Sequence, residues 1–146
     1  FGNPENALVP LESSPLTNAI KVFPIFSADQ VEENDAEVKV YPNPYRIDAG
    51  YAEDRFEDPQ RTGRTEWERR IHFINLPEKC TIKIWTVDGD LVREIEHEPG
   101  GQFSETNSKA YWDMITRNTQ AIVSGIYIYS IESDEGTQLG KIVVIK

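Results

Sequence analysis

Side chains able to do chemistry are few and scattered in this sequence. It holds two histidines, His72 and His97, and one cysteine, Cys80. A histidine acts as a general base only within reach of a nucleophile and an orienting acid, and neither has a Ser-His-Asp or Cys-His spacing beside it. Both sit inside strand-like runs, where a satisfied or surface histidine is the simpler reading. Cys80 begins Cys80-Thr81-Ile82-Lys83-Ile84 and shares a face with Ile82 and Ile84, which predicts a buried, inert thiol. A single cysteine allows no internal disulfide. Four carboxylates, Asp48, Asp54, Glu57 and Asp58, fall in one long polar loop. Such oxygens can gather calcium, yet the ligand spacing of a calcium loop is missing, so a solvated acidic loop is preferred. Trp85, Trp112, Tyr111, Tyr127 and Tyr129 offer faces on which a surface glycan could stack, but sandwich cores and interfaces use the same residues. Phosphate-binding glycine loops, zinc patterns and nucleophile elbows do not occur. No residue is nominated as catalytic, and no cofactor is implied.

The whole-chain properties narrow the partners. Twenty-five acidic residues against fifteen basic ones give a net charge of -10 over 146 residues. Phosphate binding needs a cationic face, so nucleic acid is disfavoured, as is adsorption to anionic lipid. No apolar run approaches the ~20 residues that span a bilayer. The first residue is Phe1 and no basic-plus-apolar leader precedes the body of the chain, which suggests a processed or trimmed product.

The elements that must position these residues are strands. Residues 1–36 have prolines at 4, 10, 15 and 24 and end in an acidic run; they read as an extended arm or linker. Within it, Ile20, Val22, Phe23, Ile25 and Phe26 form the one segment able to act as a strand, with Pro24 confined to an edge or bulge. Residues 37–146 read as strand and turn throughout. Val38–Tyr41 alternates and stops at Pro42-Asn43-Pro44; Arg70–Ile74 follows a long loop over residues 48–65. Thr81–Val87 and Leu91–His97 flank Asp88-Gly89, a hairpin signal in which both turn positions take positive φ. Ala110–Ile115 is the next strand, with Asn118 the expected left-handed residue of the following turn. Ile126–Ile131 and Lys141–Lys146 close the set. About seven short strands with regular turns predict an all-β, immunoglobulin-like β-sandwich with an extended N-terminal arm. Ile126 and Ile128 occupy one face of their strand, and Tyr127, Tyr129 and Ile131 the other. One face builds the core; the second is available to the arm or to another chain.

Four segments, in order, spell a pattern. Val40-Tyr41-Pro42-Asn43-Pro44-Tyr45 resembles the opening of the C-terminal sorting domains of type IX secretion substrates. Thr81–Val92 is similar to that family's central hairpin, Ser124–Tyr129 to its glycine-tyrosine strand, and Gly140–Lys146 to its terminal strand. The same core, with Tyr111-Trp112-Asp113, resembles the Ig-like domain of flagellar hook-capping proteins, except that Met114 and Thr119 stand where that pattern usually has glycines. The resemblance implies an extracellular or cell-surface module whose sorting and attachment residues are Tyr41, Pro42, Asn43, Pro44, Gly125, Tyr127, Gly140, Lys141, Val143, Val144 and Lys146. Its partner would be export machinery.

Three functions therefore remain open: secretion sorting with surface attachment; a self-assembling filament or sheath subunit that binds identical subunits by adding its arm to a neighbour's edge; and a carbohydrate-binding accessory module.

Overall fold

A computed structural model of the chain describes residues 26–51, residue 57 and residues 69–146. They form an all-β sandwich of two packed sheets with one short helix at its upper end. Nine strands are present among the described residues: β1 (Lys39–Tyr41), β2 (Tyr45–Arg46), β3 (Ile71–Ile74), β4 (Cys80–Thr86), β5 (Leu91–His97), β6 (Ser104–Thr106), β7 (Lys109–Trp112), β8 (Gly125–Ser133) and β9 (Gly136–Ile145). One sheet has the order β1-β3-β7-β6 and the other β2-β9-β8-β4-β5. Every pairing is antiparallel except β2 with β9.

Alternation decides which side chains fill the space between the sheets. From the five-stranded sheet Ile82, Ile84, Tyr127, Tyr129, Ile131, Ile142 and Val144 point inward and are buried, and Phe73 and Trp112 meet them from the other sheet. Two edge-to-face aromatic pairs lock the layers, Phe73 on Tyr129 at 5.5 Å and Trp112 on Tyr127 at 5.9 Å between ring centres. Such geometry sets the positive ring edge against the negative face and adds about 0.5–1.5 kcal/mol beyond burial. The Trp112 indole nitrogen donates to the Ile115 carbonyl at 3.0 Å, so its polar atom is satisfied inside the core.

The structure departs from the sequence reading at several points. The end of the expected extended arm contains α1 (Ala28–Asn34), a seven-residue helix. Ser27 accepts from the Gln30 amide while Gln30 accepts from the Ser27 amide, a reciprocal capping box that satisfies two orphan donors. Ala28 and Val31 are its buried contacts. Hydrophobic periodicity over two turns is too short to register, whereas the Ser27-to-Gln30 spacing was a usable signal. Strands β2 and β6 add to the seven expected, and β9 begins at Gly136, five residues before Lys141. The strand through Ala110 stops at Trp112, because Met114 takes φ 57°. In the turn that follows, Thr119 at φ 62°, and not Asn118, is left-handed. At Asp88-Gly89 only Gly89 has positive φ, at 93°; the turn closes through Gly89 N–H to the Thr86 carbonyl, and a bulge at Val92 follows, between the Trp85–Leu91 and Ile84–Arg93 pairs. The arm residues Ile20, Val22, Phe23 and Ile25 and the loop residues Asp54 and Asp58 lie outside the described residues.

Candidate functional site

Tyr41, Pro42, Asn43 and Pro44 carry the chain from one sheet to the other. Tyr41 ends β1 with its ring stacked on His72 at 5.1 Å. Proline lacks an N–H and cannot extend a ladder, so the backbone leaves the four-stranded sheet here. Asn43, between the two prolines, pairs by its side chain instead. Its Nδ2 donates to the Lys141 carbonyl at 2.8 Å, and its Oδ1 accepts from the Val143 amide at 3.0 Å. A carboxamide carries the same donor and acceptor as a peptide unit, so it occupies the place of one strand residue along β9. Two residues later the backbone takes over: Tyr45 and Arg46 pair with Val144 and Ile145, and the Ile47 amide donates to the Ile145 carbonyl at 3.0 Å.

Tyr45 anchors this clamp. Its ring is buried, and its hydroxyl donates to Glu57 Oε1 at 2.7 Å. Burial, assisted by the Glu57 carboxylate, raises its pKa well above the usual phenol range. The Arg46 amide donates to the Tyr51 hydroxyl at 3.0 Å, which holds the start of the following loop against β2.

The opposite flank of β9 is β8. Gly125 pairs with Val144, Tyr127 with Ile142, and Tyr129 with Gly140. Gly140 is bare for a reason: a β-carbon there would stand 2.3 Å from the Tyr129 ring. At the chain's last residue, the Lys146 amide donates to Ser124 Oγ at 2.9 Å and its ammonium to the Ile122 carbonyl. Of the eleven residues nominated by the resemblance, Gly140, Lys141, Val143 and Val144 lie on β9, Gly125 and Tyr127 on β8 beside it, and Lys146 just past its end. Asn43 bonds to β9, while Tyr41 stays at the end of β1 against His72.

The remaining sequence candidates do not converge. Trp112, Tyr127 and Tyr129 are core residues, Trp85 lies on the outer face of the five-stranded sheet, and Tyr111 lies on the outer face of the other beneath Arg70 at 4.5 Å. They form no shared platform for a sugar. Asp48 pairs with Arg46 at 2.9 Å, and Glu57 is used by Tyr45 and the Arg70 amide. Among the described residues no group of three or more His, Cys, Asp or Glu is placed to hold a metal. His97 is buried with Nε2 at 3.0 Å from the Asn107 carbonyl and Nδ1 at 2.8 Å from Ser104 Oγ. A carbonyl only accepts, so Nε2 carries the proton and, in the neutral ring, Nδ1 accepts from Ser104. Burial pushes the Cys80 thiol up to about 12, which removes the thiolate at physiological pH.

One cluster had no signal in the sequence. Glu105, on the outer side of the four-stranded sheet, contacts Lys109 at 2.7 Å, His72 at 3.3 Å and Arg70 at 3.7 Å. Burial acts to raise its pKa, but hydrogen bonds and charge from His72 and Lys109 outweigh that and hold it at about 2. His72, Glu105 and Lys109 come from β3, β6 and β7, with Arg70 just before β3, and only the register joins them.

No family model matches the chain, and neither does any curated protein. Its fold is similar to part of PorZ, described as an essential bacterial surface component of the type-IX secretion system of human oral-microbiomic Porphyromonas gingivalis. The match has a TM-score of 0.51 and 20% identity, over 79% of this chain and 12% of PorZ. Dimeric latent PorU from Porphyromonas gingivalis matches with a TM-score of 0.41 and 20% identity, over 74% of this chain and 9% of PorU. The chain therefore spans a small fraction of either protein, and the PorZ likeness is one of fold.

Proposed function

We propose that this chain is a non-enzymatic cell-surface or extracellular module of type IX secretion, acting in sorting and surface attachment through its terminal strand. The observation that carries this reading is the Asn43 clamp. Two sequence motifs separated by about a hundred residues, Tyr41–Pro44 and Gly140–Lys146, are joined by the pair of hydrogen bonds between Asn43 and β9. A recognised chain end must be presented in a fixed form, and the clamp fixes it. The fold shared with part of PorZ supports the same setting. The partner is then a protein of the export or attachment machinery that reads the β8–β9 edge with its Asn43–Ile47 cover.

The test uses a reporter fused ahead of this chain in a bacterium with type IX secretion. Deleting Gly140–Lys146 should retain the reporter inside the cell. Asn43→Ala, which leaves the terminal sequence intact but loosens its presentation, should lower export. Normal export of the deletion would overturn the assignment.

A further inference from the structure

Strand β9 is paired with β8 from Gly136 to Val144, but its other edge is covered only over the lower half. The backbone groups that an antiparallel strand turns away from its neighbour belong to alternate residues. On β9 the Lys141 carbonyl, the Val143 amide and the Ile145 carbonyl point that way, and Asn43 and Ile47 meet them. By the same alternation Thr137 and Leu139 each present an amide and a carbonyl outward, and nothing among the described residues bonds them. Exposed edges are ordinarily blunted by lysine, proline or a bulge. Residues 137–140 are uncharged and free of proline, and their register with β8 is unbroken. Such an edge can accept a further strand.

Beside the open edge lies a cleft of about 360 Å³, lined by Asp35, Glu37, Val38, Tyr129, Gln138 and Leu139. Its far wall is tied to β9 by the Val38 amide, which donates to Gln138 Oε1 at 2.9 Å. Its floor is the end of the Tyr129 ring, which passes beneath Gly140. Tyr129 is only 8% exposed, yet its hydroxyl has no hydrogen-bond partner among the described residues. A buried hydroxyl without a partner is costly, so an incoming polar group gains by meeting it. Asp35 and Glu37 are exposed along the rim. The Glu37 carboxylate is close enough to add to the rise that burial gives the Tyr129 pKa. The ligand that fits is an extended backbone with a cationic side chain.

A second copy of this chain is the wrong partner. Two copies joined along the same edge are related by a two-fold axis, which sets like residues across from each other. Asp35 and Glu37 of each would then face those of the other, between chains of net charge -10. Pairing would also stop at Lys141, whose carbonyl Asn43 already holds. The chain's own first 25 residues are no better matched, with Glu5 and Glu12 against a single cation, Lys21. They enter the fold at Phe26, bonded to Asn75 and Ser108 at the opposite end of α1 from Asp35. We propose that residues 137–140 of β9 and the adjoining cleft form an acceptor site for an extended, lysine- or arginine-bearing segment of a different protein, which adds to the sheet as a further strand. The inference does not depend on the export reading, because the upper edge accepts a strand whether or not the chain end is recognised.

Hydrogen exchange and titration calorimetry on the full chain test it. The probes are the peptide acetyl-Thr-Lys-Val-Lys-Val-Thr-amide and its counterpart acetyl-Thr-Glu-Val-Glu-Val-Thr-amide. In the chain alone the Thr137 and Leu139 amides should exchange freely while that of Ile142, which faces β8, is protected. The lysine peptide should slow exchange at Leu139 and bind about tenfold or more tightly than the glutamate peptide. Leu139→Pro removes an N–H that β8 does not use and should weaken the lysine peptide about tenfold. Tyr129→Phe keeps the ring and should weaken it about threefold, and Glu37→Lys should abolish the preference for lysine. These two variants change a hydroxyl and an exposed side chain, so they decide the matter if Leu139→Pro fails to fold. A lysine peptide that does not bind at millimolar concentration, or binds no better than the glutamate peptide, overturns the proposal. So does protection of Leu139 without peptide, because the edge would then be filled by the chain itself or by a second copy.

Discussion

The ring of Tyr129 lies across the backbone of Gly140, so close that a β-carbon at 140 would stand 2.3 Å from both its Cζ and its hydroxyl oxygen. The pair sits at adjacent positions of β8 and β9, and the ring is held from the other side by Phe73 at 5.5 Å. Tyr129 therefore has little room to retreat. Gly140→Ala should destabilise the domain by about 1–3 kcal/mol, the usual range for overpacking a core. In a Tyr129→Ala background the same substitution should cost less than about 0.5 kcal/mol. Urea denaturation of the four chains in this double-mutant cycle measures the coupling, and equal costs in both backgrounds would refute the contact.

Removing the clamp should loosen the chain end without unfolding the body. Asn43→Ala deletes the bonds to the Lys141 carbonyl and the Val143 amide. At about 0.5–1.5 kcal/mol for each net hydrogen bond, and with the site exposed, a loss of about 1–2 kcal/mol is expected. Asn43→Asp keeps the acceptor for Val143 but turns a carboxylate oxygen toward the Lys141 carbonyl, so it should not rescue. Hydrogen exchange should show faster exchange at Val143 with the β4–β5 hairpin unaffected. Uniform acceleration would mean that Asn43 supports the whole sandwich.

His97 and Glu105 set successive pH windows, both lost on acidification. Burial lowers the His97 pKa below 6.5, outweighing the contact with the Asn107 carbonyl. The unfolded chain thus takes up a proton that the folded chain resists, and stability from this site is lost as pH falls below about 6.5. Glu105 runs lower: its pKa is about 2 against a usual 4.5, so its contribution is complete above 4.5 and disappears between there and about 2. Thermal melts from pH 8 to pH 2 should show two separate declines. His97→Gln should remove the first and Glu105→Gln the second; a decline near pH 6 that survives in His97→Gln would assign it elsewhere.

The Cys80 thiol is raised to about 12 by burial, on the first residue of β4. Iodoacetamide at pH 8 should modify the native chain at least a hundredfold more slowly than the unfolded chain, with a rate that follows denaturant. Rapid labelling under native conditions would show that the upper end of β4 opens.

What the sequence made legible was whatever repeats locally. Alternation placed Cys80, Ile82 and Ile84 on one face and separated Tyr127, Tyr129 and Ile131 from Ile126 and Ile128, but which of the two sets builds the core, the tyrosine side, was decided only by the packing of the second sheet. The resemblance nominated Asn43 and residues of β9, which two hydrogen bonds join in the fold. What joins them was not legible, because Asn43 meets Lys141 across 98 positions through a side chain that imitates backbone. Strand β2 is two residues long and has no period to detect. The Glu105 cluster depends on register between β3, β6 and β7, which no single segment encodes.

The strongest disagreement between sequence pattern and backbone lies in the turn after β7, and it yields the last prediction. Met114 and Thr119 occupy positions where the hook-capping pattern usually has glycines, and both adopt left-handed backbone, at φ 57° and φ 62°. For a side chain bearing a β-carbon this conformation costs about 1–2 kcal/mol, and a β-branched residue is the worst placed to accept it. The consequences differ with surroundings. Thr119 is exposed, and its hydroxyl bonds only the neighbouring Asn118 carbonyl, at 2.6 Å. Thr119→Gly removes the clash and loses little packing; the greater freedom of glycine in the unfolded chain offsets part of the gain. A net stabilisation of about 0.5–1 kcal/mol is expected. Met114 is 1% exposed and belongs to the core. Met114→Gly relieves the same backbone strain but removes a buried side chain whose truncation costs about 2–5 kcal/mol, so it should destabilise. Melting temperatures of the two variants should therefore move in opposite directions. A fall in both would show that the turn holds Thr119 by more than its backbone geometry.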